Sequence, residues 1–153
     1  MKTLMICFVL MMSTPLIILA QNHQEVDQLL TDWHNAAAAG NQDEYFNYLD
    51  DNSIYIGTDS TEIWTKAEFY DWSKQHFEGQ KTWKFVATHR AIYFSENGLL
   101  AWFDELIDYG SGTLRGSGVL QNKDGDWKIM QYVLSVPVPN EKYQVVMGII
   151  NEE

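Results

Sequence analysis

The chain has 153 residues, of which 46% are hydrophobic, 20% charged and 14% aromatic, with three prolines and a formal net charge of −11. This composition excludes a disordered chain, a collagen-like repeat and a polytopic membrane protein, and it suits one domain. So acidic a surface repels phosphate backbones and anionic lipid, which argues against nucleic-acid binding.

Residues 1–20 read as a secretory signal. Lys2 supplies the positive start, Leu4 to Met12 form an apolar run, and Ile18-Leu19-Ala20 ends on a small residue suited to cleavage before Gln21. A membrane anchor is the alternative, but Ser13, Thr14 and Pro15 interrupt the stretch, which is short of the ~20 residues of a span. Cys7 lies inside the apolar run rather than at its end, so lipid attachment is not expected. Cleavage removes that single cysteine and, among charges, only Lys2, leaving nine basic and twenty-one acidic side chains, a net charge of −12. The expected mature domain, residues 21–153, therefore has no disulfide, thiolate metal site or cysteine nucleophile. Its expected location is secreted or periplasmic, without stable membrane insertion after cleavage.

Val26, Leu29, Leu30, Trp33, Ala36 and Ala37 recur at helical spacing, and Gly40 supplies a stop. Asn41 with Asp43 and Glu44 starts a second, shorter helix whose apolar side is Tyr45, Phe46, Tyr48 and Leu49. A brief strand is expected over Ser53 to Gly57. Thr65-Lys66-Ala67-Glu68 reads as a capping box opening a third helix, which Gly79 closes. From residue 82 the period becomes two, with Trp83, Phe85, Ala87, His89, Ala91 and Tyr93 on one face. Asn97-Gly98 is a hairpin signal. Strands are then expected over Leu99 to Tyr109, Thr113 to Gln121 and Trp127 to Ser135, with turns at Gly110–Gly112 and Asp124-Gly125. Pro137 and Pro139 end the sheet, and Val145 to Ile150 form an apolar tail element. Helices first and an antiparallel meander afterwards predict an α+β domain with helices on one face of a curved sheet.

Several phrases come in a fixed order on this element sequence. They are Gly57-Thr58-Asp59, Ile63-Trp64, Ala101-Trp102-Phe103-Asp104-Glu105, Arg115-Gly116-Ser117-Gly118-Val119-Leu120, Asp124-Gly125-Asp126-Trp127-Lys128-Ile129 and Pro137-Val138-Pro139-Asn140. Together they resemble the SnoaL-like branch of the nuclear-transport-factor-2-like superfamily, over about residues 24–150. The resemblance implies a cone-shaped, cystatin-like roll: three N-terminal helices packed on a strongly curved antiparallel sheet, with a pocket open at one end. It implies a pocket rather than a reaction, because members include cyclases, isomerases, dehydratases, hydrolases, non-catalytic ligand binders and dimerising adaptors. Catalytic members place carboxylates or a histidine–aspartate pair inside the pocket. Family members often carry a histidine near position 133, where this chain has Val133.

Asp104 is the first candidate for chemistry, since a carboxylate within an apolar-aromatic strand needs a partner or a purpose. Alternation puts Trp102, Asp104, Leu106 and Asp108 on one face, and Ala101, Phe103, Glu105, Ile107 and Tyr109 on the other. Asp104 is expected to face inward beside Trp102, where burial would raise its pKa toward acid–base use. Its structural alternative is an ion pair with Arg115. Arg115 either holds an anionic ligand or neutralises these acids. His89 is a candidate acid or base, or a hydrogen-bonded sheet residue. His23, His34 and His76 do not stand at metal-ligand spacing, so neither a metal nor a cofactor is expected. Trp33, Tyr45, Tyr55, Trp64, Trp72, Trp102 and Trp127 are expected to wall a pocket, with Gln131 as a polar handle. Gly116 and Gly118, on a strand, suggest bending or close backbone approach.

These features favour a protein that binds a small hydrophobic or aromatic molecule. The rivals are an isomerase, dehydratase or cyclase using Asp104, Arg115 and His89, and a dimerising module pairing through its sheet.

Overall fold

The structure, a computed structural model, describes residues 14–79 and 82–152. Most of the expected secretory segment, residues 1–13, lies outside the described residues, and residues 14–20 form the opening turns of the first helix. No helix among the described residues is long and apolar enough to cross a membrane.

The helices follow the sequence signals closely. Helix α1 (Thr14–Ala38) buries Val26, Leu30, Trp33 and Ala37, residues three to four apart on one stripe. Gly40, at φ +73°, ends that segment. Asn41 caps α2 (Gln42–Asn47) by accepting from the Glu44 amide. The capping box at Thr65 and Glu68 opens α3 (Lys66–Glu78), and Gly79 closes it. Helix α3 buries Phe69, Ser73 and Phe77.

Six strands form one sheet: β1 (Leu49–Ile56), β2 (Ile63–Thr65), β3 (Val86–Phe94), β4 (Leu100–Asp108), β5 (Thr113–Lys123) and β6 (Asp126–Ser135). Their spatial order is β2-β1-β6-β5-β4-β3. The meander from β3 to β6 is antiparallel, but β1 lies parallel to β6, a pairing that sequential hairpins do not signal. Strand β1 also begins four residues earlier than its sequence suggests. Asp50-Asp51-Asn52 is a polar run, yet Asp50 is 7% exposed, and its carboxylate accepts from the Asn52 amide at 3.0 Å and pairs with Lys123 at 2.5 Å. Those partners let a polar run continue into the sheet, across a register irregularity between Leu49 and Ile54.

The helices cover the inner face of the sheet. There Ala101, Phe103, Leu120, Ile129 and Tyr132 meet Trp33, Tyr45 and Phe69 in one core. Two bulges decide which side chains reach it. In β3, Ala87 pairs with Ile107 and His89 with Leu106, so Thr88 is the extra residue. In β6, Gln131 pairs with Val119 and Ile129 with Leu120, so Met130 is the extra one. Beyond each bulge the alternation inverts, which turns His89 and Gln131 outward and brings Arg90 and Tyr132 inward.

Gly116 and Gly118 make room rather than bend. A methyl on Gly116 would collide with the Tyr132 hydroxyl and stand 2.8 Å from a Glu105 carboxylate oxygen, and one on Gly118 would stand 2.8 Å from the Phe103 ring. Beyond the sheet, a 3₁₀ turn (Asn140–Lys142) leads into α4 (Tyr143–Ile150), the tail element, with Val145, Ile149 and Ile150 more than half exposed.

Candidate functional site

Two features occupy the space between sheet and helices, a buried polar cluster and an open aromatic cavity. Glu105 is the centre of the first. It is fully buried on β4, and its Oε1 receives His34 Nε2 from α1 at 2.7 Å and the Tyr132 hydroxyl from β6 at 3.2 Å. Its Oε2 accepts from Arg90 Nε on β3 at 2.9 Å. Arg90 also reaches back to α1, donating through Nη1 to Asp27 Oδ1 at 2.8 Å and to Thr31 Oγ1 at 3.1 Å. Burial alone would raise the Glu105 carboxyl. The hydrogen bond and charge of His34, with the charge and hydrogen bond of Arg90, outweigh burial and hold it below the ordinary glutamate value. An ionised carboxylate only accepts, so His34 carries its proton on Nε2; its Nδ1 has no hydrogen-bond partner among the described residues. Burial first, and then the Glu105 charge, push the Tyr132 hydroxyl well above its ordinary value, so it stays a donor.

The cavity adjoins this cluster, Tyr55 in its wall lying 5.4 Å from the Tyr132 ring, and holds about 280 Å³ between β2, α3 and the ends of β4, β5 and β6. Tyr55, Trp64, Trp72 and Trp83 wall one side, and Phe85, Tyr109, Leu114, Leu134 and Val136 complete it. The first wall is a set of near-parallel rings stacked through Phe69: Tyr55 lies 4.0 Å from Phe69 at 20°, Trp64 5.5 Å at 19°, and Trp83 6.0 Å at 20°. Trp72 extends it, 4.9 Å from Trp64. Phe85 connects the two features, since its ring lies 5.6 Å from that of His34 and also lines the cavity.

The expected site residues divide accordingly. Tyr55, Trp64 and Trp72 line the cavity. Trp33 and Tyr45 are 1% exposed and fill the core, stacked on each other at 5.0 Å. Trp127 is buried against Phe94, away from the cavity lining. The orientation expected for Asp104 is corrected: the inward carboxylate is Glu105, and Asp104 lies on the outer face with Trp102, which is 47% exposed and stacks on Tyr93. The alternation of β4 is as expected, but its faces are reversed. Two acids, Asp104 and Asp108, share one face against a single acid on the other, and burying two unpaired carboxylates costs more than burying one. Arg115 is exposed and stands opposite Leu106 rather than Asp104. His89 and Gln131 are exposed on the outer side of their bulges. Sequence reasoning missed Glu105 with its partners His34 and Arg90, and the cavity residues Trp83, Phe85, Tyr109 and Glu62. The charge count on the two faces of β4 was the one signal that pointed to Glu105. Among the described residues, no group of three or more His, Cys, Asp or Glu is arranged to hold a metal ion.

The SnoaL-like domain family matches residues 26–139, more than half of the chain, and the protein belongs to that family. Solved structures of the same fold include an NTF2-like protein of unknown function from Pseudomonas putida KT2440, 17% identical, with a TM-score of 0.65 over 78% of this chain and 89% of that one. Another is a domain of unknown function with a cystatin-like fold from Nostoc punctiforme PCC 73102, 12% identical, with a TM-score of 0.64 over 87% and 88%. A third is an NTF2-like protein from Cytophaga hutchinsonii ATCC 33406, 16% identical, with a TM-score of 0.61 over 75% and 98%. At these identities the likeness establishes the fold alone. No curated protein matches the chain.

Replacing Glu105 by Gln is expected to destabilise the protein by ~3 kcal/mol at pH 7, because Arg90 and His34 lose their shared counter-charge. Since the folded carboxyl is held low, this stabilisation is fully present above the unfolded glutamate value of ~4.3 and is lost as pH falls through the lower folded value. Urea unfolding at pH 7 and near pH 3 should therefore show the gap between native protein and Glu105→Gln closing in acid. A gap of equal size at both pH values would contradict the ionised assignment.

Proposed function

We infer that the protein is a secreted or periplasmic binder of a small, flat, hydrophobic or aromatic molecule, held in the cavity between Trp64, Trp72 and Trp83. The observation that carries this reading is the cavity itself, a partly open, aromatic-walled room of about 280 Å³. Such apolar, concave, largely pre-formed sites suit ligands of that class. Binding is favoured over turnover because the buried His34–Glu105 pair and the outward-facing acid–base candidates stand outside the cavity, whose lining has a single carboxylate, Glu62. His34 and Glu105 are 3% and 0% exposed, hydrogen-bonded to each other, and absent from the cavity lining. Asp104, Arg115 and His89 face away from it. The signal-like residues 1–20 support export.

The direct test is displacement of a fluorescent hydrophobic dye by candidate aromatic ligands. Trp64→Ala is expected to weaken ligand binding about tenfold or more, equivalent to ~1.4 kcal/mol, whereas Trp102→Ala leaves it unchanged. Equal effects of the two substitutions would refute the location.

A second reading rests on the opposite face of the sheet. Tyr93 and Trp102 stack there at 6.0 Å and 18° while 49% and 47% exposed, beside Leu100 at 41%. An exposed aromatic patch of this kind supports pairing of two copies through the sheet. Light scattering should then give twice the monomer mass for the native protein and a monomer for Trp102→Glu. A native monomer at high concentration would remove this reading.

A further inference from the structure

The cavity has one charged wall residue. Glu62, half-buried at the mouth, is the only acid or base among the residues that line it. The turn between β1 and β2 holds it there. The Gly57 amide donates to the Glu62 carbonyl at 2.8 Å, the Glu62 amide to the Asp59 carbonyl at 3.0 Å, and the Asp59 amide to Glu62 Oε2 at 3.2 Å. Gly57 is part of the device. A side chain at that position would occupy the place of the Glu62 carboxylate, so the absence of one lets Glu62 fold back over the backbone of the turn. No lysine or arginine lines the cavity.

A carboxylate beside stacked indoles is a particular chemical combination. Ring faces carry negative potential and attract cations within ~6 Å, tryptophan most strongly. Apolar walls weaken competition from water for that attraction, and a fixed carboxylate adds to it. The field of Glu62 is felt inside the site: the Tyr55 hydroxyl is pushed above its ordinary value by burial first and then by the Glu62 charge, and so remains a neutral donor. The protein as a whole, at −11, concentrates cations near its surface and repels anions.

We propose that the ligand of this cavity is an organic cation, a substituted ammonium or protonated amine carried on an apolar or aromatic body, seated among Trp64, Trp72 and Trp83 with Glu62 as its counter-charge. This rests on the cavity being the binding site and adds the charge of the guest. A carboxylate or phosphate ligand is disfavoured by the same wall.

The test uses three probes followed by tryptophan fluorescence: phenyltrimethylammonium, its neutral isostere tert-butylbenzene, and benzoate. The cation is expected to bind at least tenfold more tightly than the neutral isostere, and benzoate more weakly than either. Glu62→Gln is expected to reduce the cation's advantage to under threefold while leaving tert-butylbenzene affinity unchanged, which also reports that the cavity is intact. Equal affinity for cation and isostere in the native protein would overturn the cation assignment and leave the cavity reading standing. Loss of both probes in a folded Glu62→Gln protein would overturn the role of counter-charge. Failure of all three probes to bind the native protein would overturn the cavity reading itself.

Discussion

A carboxylate with none of its surface in water must be met by donors from the protein, and Glu105 is met from three other elements. Helix α1 sends His34, β3 sends Arg90, and β6 sends Tyr132. Arg90 continues to Asp27, so α1 is gripped at two levels separated by two helical turns. Ion pairs of this kind add less net stability than apolar packing would, but breaking them is severe and their geometry admits few alternatives. Their consequence here is positional. The polar contacts set where α1 lies on the sheet, Gly116 gives the carboxylate and phenol room to meet, and the rings of Trp33, Tyr45 and Tyr132 close the space around them.

That packing stops at the cavity. There β2 with α3 presents a stack of rings to a space bounded on its far side by Phe85, Tyr109 and aliphatic residues of β5 and β6. Rings stacked on one another through Phe69 are already stabilised by their neighbours, so the wall keeps its form without a guest. One part of the interior is thus ordered by charge and hydrogen bonds, and the adjoining part by ring stacking around the cavity. Phe85 divides them, touching His34 on one side and the cavity on the other. The SnoaL-like fold supplies the cone, but the character of its mouth is set by this chain's own indoles and by Glu62.

The sequence announced the helices because their signals are local: the Thr65–Glu68 capping box, the Asn41 cap and the Gly40 stop each involve residues within a few positions. Three of the strands came from turn chemistry of the same local kind, at Gly98, Gly110 and Asp124-Gly125. What alternation alone could not supply was phase. A single extra residue at Thr88 or Met130 reverses every later side chain of its strand, which is why His89 and Gln131 look inward on paper and Arg90 and Tyr132 are inward in fact. The parallel pairing of β1 with β6 depends on contacts remote in sequence, and no short pattern encodes it, whereas the turn that carries Glu62 is local, held by Gly57 and Asp59. The aromatic wall was half legible: Tyr55, Trp64 and Trp72 belong to it, whereas Trp33, Tyr45 and Trp127 were consumed by the core and Trp102 by the outer face.

Ligand binding requires that the aromatic cavity stay open and distinct from the Glu105 cluster, which does not line it. Crystals of the protein exposed to bromobenzene test that most directly, because the anomalous signal of bromine locates the guest independently of any assumed pose. The expected result is a peak among Trp64, Trp72 and Trp83, with the Glu105 hydrogen bonds unchanged. Indoles collapsed into that space, or bromine found only at the outer sheet face, would contradict it.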